Sequence, residues 1–196
     1  GENALGLLDE DSGPNDNSMT AAEIGSDNDI NDAPDNPNDS DDFDPAATSG
    51  PYISDQAVEQ KIEEIIDNHS GTQPLFIFVI TMENHGPLHL ETIAEQDIQQ
   101  YYHSSLPKQH SDLTVYLSHL SNADQMLKKL SDYLKSQQQE TLLCFYGDHV
   151  PSMPDIYNEL EFSDGRTDYL IWHSHLHSQT SQPEALSVHQ LALKLL

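Results

Sequence analysis

The longest uninterrupted apolar run in the chain is Leu75-Phe76-Ile77-Phe78-Val79-Ile80. It is rich in β-branched and aromatic residues, the composition of a strand buried on both faces. Leu142-Leu143-Cys144-Phe145-Tyr146 and Asp168-Tyr169-Leu170-Ile171-Trp172 read as two further strands. Between and around them the period changes from strand to helix. Ser54 can cap a helix over 55–68, with Ala57, Ile62, Ile65 and Ile66 on its apolar side and Glu59, Glu63 and Glu64 solvated. Asn68 to Gln73 breaks that helix. Leu113, Leu117, Leu120, Met126, Leu127, Leu130 and Leu134 recur near helical spacing and predict an amphipathic crossover helix over about 112–136. Residues 187–196 close the chain with a leucine-rich helical pattern. Strand, helix, strand, loop, strand, helix is an α/β order and predicts a mostly parallel sheet flanked by helices.

Residues 1–50 lack this patterning. They hold fourteen Asp or Glu and no Lys or Arg, and the first basic residue is Lys61. Apolar side chains there are too sparse to offset the entropy of ordering, so a disordered acidic N-terminal segment is expected, with order beginning near Pro51 and one domain over 51–196. Asp27, Asp29 and Asn31 imitate the first ligand positions of a calcium loop. Asp32 stands where that loop needs Gly, and Asn38 where it needs Glu, so a solvated acidic linker is the expectation. The formal charge of −27 over 196 residues argues against nonspecific nucleic-acid binding, which needs Lys and Arg to displace phosphate counterions. It argues equally against docking on an anionic membrane surface. The single cysteine, Cys144, cannot form an internal disulfide. No apolar run approaches the ~18–20 residues of a transmembrane helix. The chain opens without Met, as a mature piece or a fragment would.

Two short motifs carry the chemistry. Thr81-Met82-Glu83-Asn84-His85-Gly86-Pro87 and Phe145-Tyr146-Gly147-Asp148-His149-Val150-Pro151 each lie where an apolar strand should end. Ligands of open α/β sheets bind beyond the carboxyl ends of strands. If the two strands are parallel neighbours, His85 and the pair Asp148-His149 face one crevice. Adjacent residues of a regular strand point to opposite faces, so Asp148 and His149 converge only if the backbone bends; Gly147 and Pro151 make that bend feasible. Asp offers a hard anionic oxygen and His a borderline nitrogen, a combination suited to manganese or zinc more than calcium. A metal there could polarise a phosphoryl oxygen, with His85 bonding the phosphate or the leaving oxygen. A strand-end Asp-His pair also arises by chance on a solvated turn, and spacing alone leaves both readings open.

Asn84-His85-Gly86-Pro87 and Tyr146-Gly147-Asp148-His149, with an Asn122-Ala123-Asp124 helix between them, resemble the lipoteichoic-acid synthase family and its capsule-polysaccharide sulfatase-like relatives. The wider group is the sulfatase/alkaline-phosphatase superfamily. The resemblance covers roughly residues 74–173 and implies the C-terminal part of a partial alkaline-phosphatase-like fold. It implies that Asp148 and His149 ligate a catalytic divalent metal, manganese first, with zinc or magnesium as alternatives. His85 matches the histidine that contacts the substrate phosphate or glycerol-phosphate group. It further implies a phosphorylated glycolipid or glycan substrate, a cell-envelope location, and membrane anchoring of a longer parent outside this chain. Family members use a threonine or equivalent nucleophile that forms a covalent intermediate. That residue and a further acidic ligand lie N-terminal of the Asn-His motif in the family. Here Thr48, Ser49, Ser54, Thr72 and Thr81 are available hydroxyls, and none stands in a recognisable nucleophile context.

Other polar features are weaker. Trp172-His173-Ser174-His175-Leu176-His177 spaces three histidines at period two, either a metal face or a polar strand end. His89, His103, His110 and His119 are expected on the surface. Arg166, flanked by Asp164 and Asp168, suits a phosphate clamp or a plain ion pair. Asp124 reads as a cap or surface charge. Tyr101-Tyr102 could line a glycan or lipid-headgroup surface or pack on the sheet. The leading expectation is a metal-dependent phosphoryl-type transferase or hydrolase of envelope or capsule polymer synthesis. The alternatives are a non-catalytic binding module with an acidic tail, and a sulfatase or phosphatase of the same superfamily.

Overall fold

The structure is a computed structural model that describes residues 20–25, 47–49, 52–92, 95–102, 111–176 and 183–195. In chain order the elements are β1 (Thr20–Gly25), β2 (Thr48–Ser49), β3 (Tyr52–Ile53), α1 (Asp55–Asn68), β4 (Leu75–Ile80) and a 3₁₀ turn (Leu88–Leu90). Then follow α2 (Glu95–Tyr101), α3 (Ser111–Ser136), β5 (Leu142–Tyr146), α4 (Pro154–Glu159), β6 (Tyr169–His173) and α5 (Val188–Leu195).

Helix α1 starts where the sequence places it. The Ser54 side chain accepts a hydrogen bond from the Ala57 N–H at 3.2 Å, satisfying one of the donors a helix start leaves open. Its inner face, Ala57, Val58 and Ile62, packs with Ile53 and with Leu130 and Leu134 of α3. Ile77 and Val79 of β4, Leu143 of β5 and Trp172 of β6 close over the same cluster. Burying each fully buried Val, Ile or Leu of this cluster contributes roughly 1.5–3 kcal/mol before entropy is counted. The Tyr133 hydroxyl of α3 donates to Asp67 at 2.6 Å and ties the far ends of the two helices.

Sheet topology departs from the expected parallel sheet. β1 runs parallel to β4, from Thr20 opposite Leu75 to Gly25 opposite Ile80. β5 and β6 are antiparallel, from Leu142 opposite His173 to Tyr146 opposite Tyr169, and β2 with β3 is antiparallel as well. A parallel partner needs a connection that carries the chain back along the whole strand. The segment between β5 and β6 instead stays at the strand end, because Met153 and Ile156 bury there against Leu88 and Val115. β4 is also one-sided. Ile77 and Val79 face the helices, whereas Phe76, Phe78 and Ile80 are exposed.

Two expectations about polarity change too. Thr20–Gly25 lies inside the stretch expected to be disordered, yet forms a strand. Its sequence, Thr-Ala-Ala-Glu-Ile-Gly, carries a single charge and can pair along β4. Glu59, expected in solvent, is buried beneath α3 with Lys129 at 4.0 Å. The calcium-like residues Asp27, Asp29, Asn31, Asp32 and Asn38 lie outside the described residues. Among the described residues, no helix is long and apolar enough to cross a membrane.

Candidate functional site

β4 ends at Ile80, and the chain turns at once. The His85 N–H donates to the Met82 carbonyl at 2.8 Å, closing a tight turn with Glu83 and Asn84 at its centre. A cis Gly86–Pro87 bond leads into the 3₁₀ turn, whose Leu88 is buried. β5 ends at Tyr146 in a similar way. The Gly147 N–H donates to the Asp168 carbonyl at 3.2 Å, and the Thr167 hydroxyl donates to the Gly147 carbonyl at 2.5 Å. The chain then leaves the strand through Asp148 and His149 and enters α4 at Pro154, a residue suited to a first helical position. Leu88 beyond the first motif and Met153 beyond the second share one buried cluster with Val115 and Ile156. That cluster brings the motifs together. The His85 and His149 rings meet edge to face with centroids 6.5 Å apart.

The hydrogen bonds fix how these rings face. His149 Nδ1 lies 3.0 Å from the Val150 carbonyl. A carbonyl only accepts, so Nδ1 carries a proton, and in the neutral ring Nε2 then offers its lone pair. Nε2 lies 3.6 Å from Asp148 Oδ2, so both groups address one region of space. Asp148 Oδ1 accepts from the His149 backbone N–H at 2.8 Å, which holds the carboxylate in place. His85 is built alike. Its Nδ1 donates to the Gly86 carbonyl at 2.8 Å, and the Tyr52 hydroxyl donates to that same oxygen at 2.9 Å. The Tyr52 ring supports the imidazole edge-on at 5.7 Å.

Imidazoles that hand Nδ1–H to a backbone carbonyl and offer Nε2 are arranged as metal-ligating or phosphate-bonding histidines are. Asp148 and His149 therefore fit a divalent cation as one oxygen and one nitrogen donor. They are a partial set: among the described residues, no cluster of three or more His, Cys, Asp or Glu side chains is placed to hold a metal. The side chains of Asp148 and His149 are 80% and 64% exposed, so the pair sits on an open edge that a bulky substrate can approach.

The remaining candidates fall elsewhere. Ser54 caps α1, Thr48 and Ser49 line a cavity of about 440 Å³ beside Glu83 and Asn122, Thr72 sits in the bend before β4, and Thr81 follows its last residue. Among the described residues, Tyr52 supplies the one hydroxyl bonded to His85, Asp148 or His149. Arg166 is engaged by Asp164, with Nε 2.9 Å from both carboxylate oxygens, and this pairing pulls the Asp164 carboxyl down to about 2. Asp168 contributes its carbonyl to Gly147, and Asp124 is exposed on α3. His173 and His175 flank Glu140 at 4.0 and 3.9 Å, a polar strand end away from the site. Tyr102 receives a hydrogen bond from Thr114 at 3.2 Å. His89 is exposed, and His103, His110 and His177 lie outside the described residues. His119 is not the expected surface residue. It is buried on α3, with Nε2 3.0 Å from Glu91, because that helix face packs over the segment following the 3₁₀ turn. The motif reading overlooked Tyr52 and Glu83. Glu83 stood inside the first motif, but nothing in an alternating polar turn marks a carboxylate as buried.

A family model for sulfatases matches residues 8–196. The chain belongs to the sulfatase family. The matched span includes most of the stretch read above as an acidic linker. Among curated relatives of this sulfatase-family chain are two proteins of Rhizobium meliloti (strain 1021). One, named for cyclic β-1,2-glucan modification, is 29% identical over 119 residues, covering 60% of this chain and 18% of that protein. The other, the capsular polysaccharide biosynthesis protein RkpI, is 28% identical over 122 residues, covering 62% of this chain and 20% of that protein. The matched region thus spans about a fifth of either relative's length. The Streptococcus pyogenes phosphoglycerol transferase GacH, solved with sn-glycerol-1-phosphate, superposes with a TM-score of 0.55 at 19% identity. That match covers 83% of this chain and 44% of GacH, and it shows a shared fold.

Proposed function

We propose that this chain supplies one wall of a metal-dependent site that transfers or hydrolyses a phosphoglycerol-like or glycan phosphodiester group in cell-envelope polysaccharide. The observation that carries this reading is the meeting of the His85 and His149 rings beside Asp148 at one open edge, each histidine with Nδ1 held by a backbone carbonyl. Asp148 and His149 would hold a divalent cation; the donor types suit manganese or zinc more than calcium, and the resemblance to lipoteichoic-acid synthases puts manganese first, with zinc or magnesium as alternatives. When bound, such a cation supplies positive charge to a phosphoryl oxygen and lowers the pKa of an attacking hydroxyl. His85 donates or accepts at the phosphate or the leaving oxygen through Nε2, its ring held by the Gly86 carbonyl and Tyr52. The open edge suits a polymer or glycolipid headgroup better than a small enclosed metabolite. The family match, the two polysaccharide-related relatives and the GacH fold support the class of chemistry and the envelope setting.

The test uses the full-length gene product, manganese titration by calorimetry, and phosphodiester, phosphomonoester and sulfate ester probes. Metal-dependent turnover of the phosphodiester probe is expected, and Asp148→Asn or His149→Gln should weaken manganese binding about tenfold or more, the order seen for lost metal-site contacts. Unchanged manganese affinity in both variants would overturn the ligand assignment. Turnover of the sulfate ester alone would replace the transferase reading with a sulfatase.

A further inference from the structure

We infer that Glu83 is the positioning residue that sets the orientation of His85, acting as a clamp between α1 and α3. The functional meaning of this inference rests on the reading of His85 as the phosphate contact. Glu83 is only 1% exposed. Its Oε2 accepts the Asp55 backbone N–H at 2.6 Å, and its Oε1 accepts the Asn122 side-chain amide at 2.6 Å. The first bond fastens the turn to the N-terminus of α1, where an open donor and the helix dipole both favour an anion. The second fastens it to the middle of α3.

Burying a carboxylate is costly unless its charge is met by donors. An apolar side chain would fill the same space without that cost. What the carboxylate adds is two short, directional, charge-assisted bonds that leave the turn one orientation. The turn passes this on to His85. Glu83 is the second residue of the Met82–His85 turn and His85 the fourth, and the turn is closed by the 2.8 Å bond from the His85 N–H to the Met82 carbonyl. With Glu83 fixed, the His85 ring falls against the Gly86 carbonyl, which requires Nδ1–H, and beside the Tyr52 hydroxyl, which bonds the same oxygen. A histidine free in water favours the opposite tautomer, so the Nδ1–H form is a spectroscopic signature of a held ring.

The experiment reads the ring nitrogens of His85 by long-range ¹H–¹⁵N correlation in the full chain, with His85→Gln assigning the signal. The native protein should show the Nδ1–H pattern. Glu83→Ala should lose it, while the His149 ring keeps its own. Glu83→Gln should restore it, since its amide oxygen can accept from Asp55 and the Asn122 amide can turn to pair with its NH₂. A folded Glu83→Ala protein with an unchanged His85 pattern would overturn the inference, as would a Glu83→Gln protein that loses the pattern as fully as Glu83→Ala. Should Glu83→Ala fail to fold, Asn122→Ala decides: a weakened Nδ1–H pattern supports the clamp and an unchanged one refutes it. Glycerol phosphate added to the native chain separates the two readings. No response of His85 to that probe would count against the phosphate contact and leave the tautomer result standing.

Discussion

His85 and His149 meet edge to face, 6.5 Å between ring centroids and 75° between planes, although β4 and β5, the strands that lead to them, are not hydrogen-bonded to each other. The contact is made from below. Leu88, three residues after His85, and Met153, four after His149, are buried in one cluster with Val115 and Ile156. Packing beyond the motifs, and not strand pairing before them, brings the two halves of the site together.

Leu88→Ala should therefore separate the histidines as well as destabilise the chain. Removing a buried leucine side chain costs about 2–5 kcal/mol, the spread reflecting how far the surroundings collapse. Leu134→Ala, in the cluster between α1 and α3, should cost a similar amount. Only Leu88→Ala should abolish the nuclear Overhauser contact between the His85 and His149 rings in the folded protein. Equal loss of that contact in both variants would show that general loosening, and not the Leu88–Met153 cluster, controls the site.

Gly147 is the position where the second motif depends on having no side chain. A Cβ there would sit 3.1 Å from Thr167 Cβ and 3.3 Å from its Cγ2. Thr167 cannot simply turn aside, because its hydroxyl is bonded to the Gly147 carbonyl. Gly147→Ala should destabilise by about 1–3 kcal/mol, the usual cost of overpacking a fitted contact. Thr167→Ala should cost about 1 kcal/mol for the lost hydrogen bond. Together they should cost less than the sum, since Thr167→Ala removes both the Cγ2 that crowds the new methyl and the hydroxyl bond that holds the 167 Cβ against it. Additive losses in chemical denaturation would show that the two residues do not press on one another.

Helices α1 and α3 were legible from apolar period alone, and so was the Ser54 cap, because those signals are local. The strands were legible as segments but not as a sheet. A continuous run such as Leu75–Ile80 does not say which face will find a partner, and β4 buries only Ile77 and Val79 against the helices. The antiparallel return of β6 depends on Met153 and Ile156 holding the connection at the strand end, a long-range choice with no local mark. His85, Asp148 and His149 stood out because strand-end motifs are short and chemically dense. Glu83, Glu59 and His119 did not, since a polar letter reads as solvated until its neighbours are known.

Asp55 provides the sharpest pH prediction. It is the first residue of α1, where the helix dipole favours its charge, but it is 1% exposed and, among the described residues, neither carboxylate oxygen has a hydrogen-bond partner. Burial, with the neighbouring Glu83 charge adding to it, raises its pKa from 3.8 to about 7. The folded chain then holds a proton that the unfolded chain releases, so this group makes stability fall as pH rises between those two values and adds no further slope above the upper one. The full penalty is on the order of 4 kcal/mol at most, since a tenfold change in proton affinity is worth ~1.4 kcal/mol. Asp55→Asn removes the ionisation while keeping the shape. The variant should be more stable than the native chain at about pH 8, and the difference should shrink steadily towards about pH 4. Many other carboxylates titrate in this acidic chain, so the quantity to follow is the difference between the two proteins, measured by denaturant unfolding at each pH. A difference that stays constant from acid to mildly alkaline pH would mean that Asp55 is ionised in the fold and that its oxygens are met by something other than a proton.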